Sequence, residues 1–142
     1  MGEVAASRTR RVAPDVLAVI ALGGALGAPA RYEVAQLVKV GAGGFPWATF
    51  LTNLSGAFVL GFFLTVVIER LPPSRYLRPF FAVGFLGSYT TFSTLAVETA
   101  TLVKDGHVGL GVGYTAASVA AGLAVAYLGI VSARLVPGGE YR

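Results

Sequence analysis

Cysteine is absent from the chain, which excludes disulfides, thiolate metal sites and cysteine nucleophiles together. Histidine occurs once, as His107, beside Lys104, Asp105 and Gly106 in a polar break. A histidine-built metal site or a catalytic triad has no second member to draw on within one chain. Charge is scarce as well: 13% of residues are charged, against roughly 25% in an ordinary soluble domain. No nucleophile–base pair or metal-ligand cluster appears, so an enzyme lacks its parts. The net charge of +4 invites a nucleic-acid partner, but the basic residues flank apolar runs and form no single stripe, so none is expected. Nothing in the pattern asks for an organic cofactor.

Apolar residues are plentiful. They make up 55% of the 142 residues, and the mean hydropathy is +0.71. A soluble domain of this size could not keep so much apolar surface dry, so the chain is expected to sit in membrane lipid. Four apolar runs stand out: Val16 to Ala30, Val40 to Ile68, Pro79 to Val97 and Gly106 to Ala133. A helix crosses the hydrocarbon layer with roughly 20 apolar residues. The last three runs reach that length unaided, and the first does so if Arg31, Tyr32 and Glu33 enter the interface. The expectation is one all-α transmembrane domain over 1–142, with a basic tail (1–13) and spans near 14–38, 46–70, 76–103 and 107–135.

The first run has a rival reading. Arg8, Arg10 and Arg11 precede an apolar stretch ending Ala28-Pro29-Ala30, which has the form of a secretory signal. Three further spans and a helical pattern continuing through Val34 to Val38 favour a span. The connections Gly41 to Pro46, Leu71 to Ser74 and Lys104 to His107 are short, so successive spans run antiparallel in a bundle. Arginines gather beside the termini and in the second loop, whereas Lys39 and Lys104 fall on the other side. The positive-inside rule then puts both termini in the cytoplasm of a multi-pass protein of the inner (plasma) membrane. Nineteen glycines are a heavy load for helices in water but suit close backbone packing in lipid; Gly23 with Gly27 and Gly109 with Gly113 have the spacing for it.

Polar groups inside spans are costly and therefore informative. Thr49, Thr52, Asn53 and Gly56 share one face of the second helix. They read either as glue between helices or as the lining of a path. From Ser88 to Thr94, five of seven residues are serine or threonine. β-branched threonines and the preceding glycine weaken a helix, and hydroxyls can satisfy freed backbone groups. A break of the third helix is expected near Gly87 to Thr90, buried in the bundle, with carbonyls free to face a cation.

The stretch Gly84-Phe85-Leu86-Gly87-Ser88-Tyr89-Thr90-Thr91-Phe92-Ser93-Thr94 closely resembles the signature of the Fluc (CrcB) fluoride channels. The segments Gly23 to Tyr32 and Thr49 to Gly56 are similar to that family's first-helix and second-helix motifs, in the same order. The resemblance implies an antiparallel, dual-topology homodimer with two fluoride pores along the subunit interface. It implies a sodium ion at the dimer centre, held by backbone carbonyls of Gly87 and Thr90. It makes Asn53 an amide donor to fluoride and Phe92 a phenyl lining the path. Arg31 becomes a vestibule base, and Ser93, Thr94, Tyr114 and Ser118 a polar track. Thr49, on the Asn53 face, joins the pore set. Where the family often has a second phenylalanine, this chain has Leu95.

Two other classes stay open on the sequence. A small multidrug-type proton-coupled exporter needs a carboxylate inside the first helix, where Asp15 and Glu33 sit only at its ends. A non-transporting scaffold subunit predicts scattered polar residues in place of a stripe. Dual topology also sits uneasily with the one-sided arginines, unless a second, oppositely oriented chain is the partner. Glu98 reads as an interfacial cap or part of a pore mouth.

Overall fold

A computed structural model describes residues 13–39, 41 and 43–136. Residues 1–12 of the basic tail (1–13) and Arg142 lie outside the described residues.

Pro14 opens α1 (Pro14–Leu37), where its fixed φ and missing N–H cost nothing. The helix continues unbroken through Ala28-Pro29-Ala30. α2 is Trp47–Glu69. The third span starts with a π-helical stretch, Pro79–Leu86, followed by one α-turn, Gly87–Tyr89; the two together are α3. It resumes as α4 (Phe92–Lys104), and α5 is Val108–Leu135. The described chain is thus all-helical, four helices with the third one broken. Three helical runs are long and apolar enough to cross a membrane: Trp47–Glu69, Pro79–Lys104 and Val108–Leu135. α1, with Asp15, Arg31 and Glu33 along its 24 residues, is not among them.

The helices pack as two principal pairs, α1 on α3 and α2 on α5, with α4 closing against α5. Glycine makes both pairs possible. A Cβ on Gly23 would strike the Phe80 carbonyl, one on Gly27 the Phe85 carbonyl, and one on Gly84 the Ile20 carbonyl. Gly61 lies against the Ala126 carbonyl and Gly129 against that of Phe58, joining α2 to α5 in the same way. Gly109 and Gly113 differ from the sequence expectation, because a Cβ on either would meet nothing within 4 Å. They face outward on α5, opposite the buried Gly111, Tyr114 and Ser118.

One end of the bundle is tied by ion pairs. Arg75 reaches Asp15 at 3.0 Å, and Tyr76 donates to the same carboxylate at 2.7 Å. That bond raises the Tyr76 phenol above its usual range, because ionising it would set two negative charges together. Arg134 pairs with Glu69 at 3.0 Å, and the Arg70 guanidinium caps the end of α5 by donating to the Arg134 and Val136 carbonyls.

The break falls at Thr90 and Thr91, the C-terminal edge of the expected window. Thr90 is extended at ψ 158°, and Thr91 follows at φ −150° and ψ 120°. Thr91 restarts the helix as an N-cap, its Oγ1 accepting from the Thr94 amide at 3.2 Å. Thr91→Val keeps the shape and deletes the cap, so a loss of about 1 kcal/mol is expected in a detergent unfolding titration.

Candidate functional site

The break rearranges backbone hydrogen bonds in a definable way. In a continuous helix the Thr91 amide would donate to the Gly87 carbonyl, and the Thr94 amide to the Thr90 carbonyl. Here the Thr91 N–H donates to Asn53 Oδ1 at 2.8 Å, and the Thr94 N–H goes to the Thr91 hydroxyl. Gly87 and Thr90 therefore both lose their helical donors. Asn53 completes the exchange by donating from Nδ2 to the Thr91 carbonyl at 2.9 Å. One side-chain amide from α2 thus holds both backbone groups of a residue on the broken helix, as a neighbouring peptide would.

Two hollows meet at this point, and Thr91 lines both. The larger is an open groove of about 630 Å³ between α2, α3 and α5. Its polar floor is Asn53, Thr90, Thr91 and Ser118, with Gly56, Gly87 and Phe92 at its sides. Phe92 is 79% exposed, so its ring stands out from the chain over this groove. Ser118 is buried, yet its Oγ has no hydrogen-bond partner. The smaller hollow, about 370 Å³, is lined by Arg31 and Tyr32 of α1 and by Thr49, Thr52, Thr91 and Thr94. The α2 face of Thr49, Thr52, Asn53 and Gly56 runs from one hollow into the other. It is both glue and lining: Thr49 and Asn53 make hydrogen bonds between helices, and each also walls a hollow.

Of the residues singled out on sequence, Asn53, Phe92, Ser118, Gly87 and Thr90 border the groove, and Arg31, Thr49 and Thr94 the smaller hollow. Ser93 is exposed beside the break, its Oγ 3.2 Å from the Thr91 hydroxyl. Tyr114 is in neither hollow. It is fully buried, and its O–H donates to Glu98 at 2.7 Å.

Glu98 and Thr91 are the residues that sequence reasoning undervalued. Glu98 is half-buried between helices, and its second carboxylate oxygen accepts from Thr49 at 2.8 Å. It thereby ties α2 and α5 to α4. The available signal was its place three residues beyond Leu95 on the buried side of α4, but no period can name partners 49 and 16 residues away. Tyr114→Phe removes one of two donors to this carboxylate. A destabilisation of about 1.5–3 kcal/mol is expected in denaturant titration, the range for hydrogen bonds to charged groups.

No α1 carboxylate enters the bundle. Asp15 pairs with Arg75 at the end of the helix, and Glu33 is exposed. The exporter alternative therefore lacks its proton-carrying group in this helix. No group of three or more metal-ligating side chains occurs among the described residues.

Comparison with known proteins adds three observations. Residues 18–130 match the family described as CrcB-like protein, Camphor Resistance (CrcB). The chain is 47% identical to the fluoride-specific ion channels FluC 3 and FluC 2 of Streptomyces avermitilis, over 125 and 104 residues. Those matches cover 88% and 73% of this chain, which spans 61% and 66% of the two relatives. It is also 47% identical over 112 residues to FluC 1 of Mycolicibacterium paratuberculosis, covering 79% of this chain and 85% of that one. These relatives are named as ion channels, and none is named as an enzyme.

Proposed function

The chain belongs to the CrcB family of fluoride channels, and from that premise we propose that it is a fluoride-selective channel that lets fluoride leave the cell passively across the inner membrane. The observation that carries this reading is the Asn53 clamp on the broken helix, at the junction of the two hollows.

Fluoride is small and holds its water tightly, so a pore must replace that shell with close, uncharged donors. Asn53 spends one N–H on Thr91, and its amide has a second to offer. The orphaned Ser118 hydroxyl lines the same groove. The exposed Phe92 ring presents an edge of weakly positive C–H groups to an anion. Arg31 in the smaller hollow draws anions toward the threonines without lying beside Asn53. A lysine at the narrowest point would hold fluoride too long, and binding must stay weak enough to release it.

The groove is open on the outer face of a single chain, so a second chain running antiparallel completes the path and makes two pores. All four helices, α1 included, cross the membrane in that assembly. The sodium ion that the family implies fits the freed Gly87 and Thr90 carbonyls, which are hard, neutral oxygen donors. Two from each chain would hold it at the centre, where it would brace the breaks of both subunits against each other.

Fluoride efflux from proteoliposomes, read with a fluoride electrode beside a chloride control, tests this function. Passive fluoride loss without chloride loss, reduced by Phe92→Ile, is the expected result. A folded preparation that releases no fluoride would overturn it.

A further inference from the structure

We infer that the arginine-rich end of this bundle is a docking surface for anionic phospholipid headgroups, and that this contact anchors α1 at the membrane surface. It needs only a chain that crosses a membrane; neither fluoride nor the way copies pair enters it.

Charge is gathered at one end of the bundle, and one residue type carries it. The Asp15–Arg75 and Glu69–Arg134 pairs draw together the start of α1, the loop before α3 and the ends of α2 and α5. Arg70 and Arg78 lie there too. In the sequence, Arg8, Arg10 and Arg11 stand within a few residues of the start of α1, and Arg142 follows α5. No lysine is among them; Lys39 and Lys104 belong to the opposite end. Glu3, Asp15, Glu69 and Glu140 accompany these arginines, whereas Arg31, Lys39 and Lys104 are matched in number by Glu33, Glu98 and Asp105. The net charge of +4 therefore belongs wholly to the arginine end.

The bundle itself engages three of these cations. Arg75 is held by Asp15, Arg134 by Glu69, and Arg70 donates to the Arg134 and Val136 carbonyls. Arg78 is exposed and has no carboxylate partner among the described residues. Together with the arginines ahead of α1, it leaves positive charge for a partner outside the chain. A guanidinium grips a phosphate through two parallel N–H bonds, which the point charge of lysine does not match. The loop leading to Arg78 adds a second demand, because Leu71, Pro72, Pro73 and Tyr76 are exposed. The boundary between acyl chains and headgroups meets both, with apolar side chains below and guanidiniums at phosphate level. A soluble polyanion would leave that loop wet. α1 is the helix that gains most from such an anchor. It is not among the helical runs long and apolar enough to span, and its first turn carries Asp15. Arg75 and Tyr76 cover that carboxylate, and phosphates held by the neighbouring arginines keep the helix start at headgroup depth.

Thermal unfolding of the purified full chain in a neutral detergent is the test. Phosphatidylglycerol added to the micelles should raise the midpoint by several degrees more than phosphatidylcholine does, and high salt should shrink the difference. Arg78→Gln should remove part of this lipid-specific shift. A variant carrying Arg8→Gln, Arg10→Gln and Arg11→Gln should remove most of it, whereas Lys39→Gln with Lys104→Gln should keep it whole. Without phosphatidylglycerol, all of these variants should unfold at the wild-type midpoint. An equal shift from phosphatidylcholine, or an undiminished shift in both arginine variants, overturns the inference. An equal shift from inorganic phosphate or from soluble polyglutamate also overturns it, assigning the end to a free ion or to an acidic protein. The absence of cysteine allows the anchor to be read with single thiols. Labelling of Ala13→Cys by a soluble maleimide should slow several-fold in phosphatidylglycerol nanodiscs relative to phosphatidylcholine ones. Gly41→Cys, at the opposite end, reports the general effect of a negative surface and should slow less. Equal slowing at both positions would overturn the anchoring of α1.

Discussion

Asn53→Ala is expected to lower fluoride efflux by about tenfold or more, and to destabilise the bundle as well. The variant strips the partners from the N–H and C=O of Thr91, which is buried. Each unsatisfied buried backbone group costs about 1–3 kcal/mol, so the broken helix loses its brace from α2. Efflux falls in addition because the amide N–H that faces the groove is gone; ~1.4 kcal/mol of lost interaction is already tenfold. Asn53→Asp separates the two roles. It keeps an acceptor for the Thr91 amide, yet it sets carboxylate oxygen against the Thr91 carbonyl and toward an anion's path. Flux should vanish in this variant even where the protein remains extractable and monodisperse. Fluoride-electrode recordings beside thermal unfolding in detergent measure both quantities. Wild-type efflux from Asn53→Asp would remove Asn53 from the permeation path.

Gly23→Val is expected to cost about 3 kcal/mol or more and to prevent assembly. The new side chain would be driven into the Phe80 carbonyl and the Gly84 backbone, which cannot rotate aside as a flexible side chain can. α1 and α3 would have to move apart, carrying with them the Arg31 wall of the smaller hollow and the start of the broken helix. Gly113→Ala is the contrasting control. Its Cβ points into open space on the outer face of α5, and alanine favours helix over glycine by up to about 1 kcal/mol in water. Stability should be unchanged or slightly higher. Denaturant titration of the two variants in one detergent checks the pair. Equal losses would mean that the glycines act through helix propensity and not through close approach.

Much of this protein is legible in the chain itself. Hydropathy and run length mark three helical runs as long and apolar enough to span, and the pattern through Val38 marks α1 as a fourth helix; lipid forces every backbone group to be satisfied within its own span. The hydroxyl-rich stretch after Gly87 announces a break, and the face of Thr49, Thr52, Asn53 and Gly56 announces a polar seam. Both depend on local chemistry and a single helical period. The tertiary structure alone decided what those groups do. It gave Asn53 to the backbone of Thr91, moved the break to Thr90 and Thr91, and drew Glu98 inward between Thr49 and Tyr114. It also separated the glycines that carry helix contacts, such as Gly23 and Gly84, from Gly109 and Gly113, which share their spacing but meet nothing. A sequence period fixes which side of a helix a residue is on. Which helix stands opposite, at what height and how closely is settled by packing between segments tens of residues apart, and no local pattern records it.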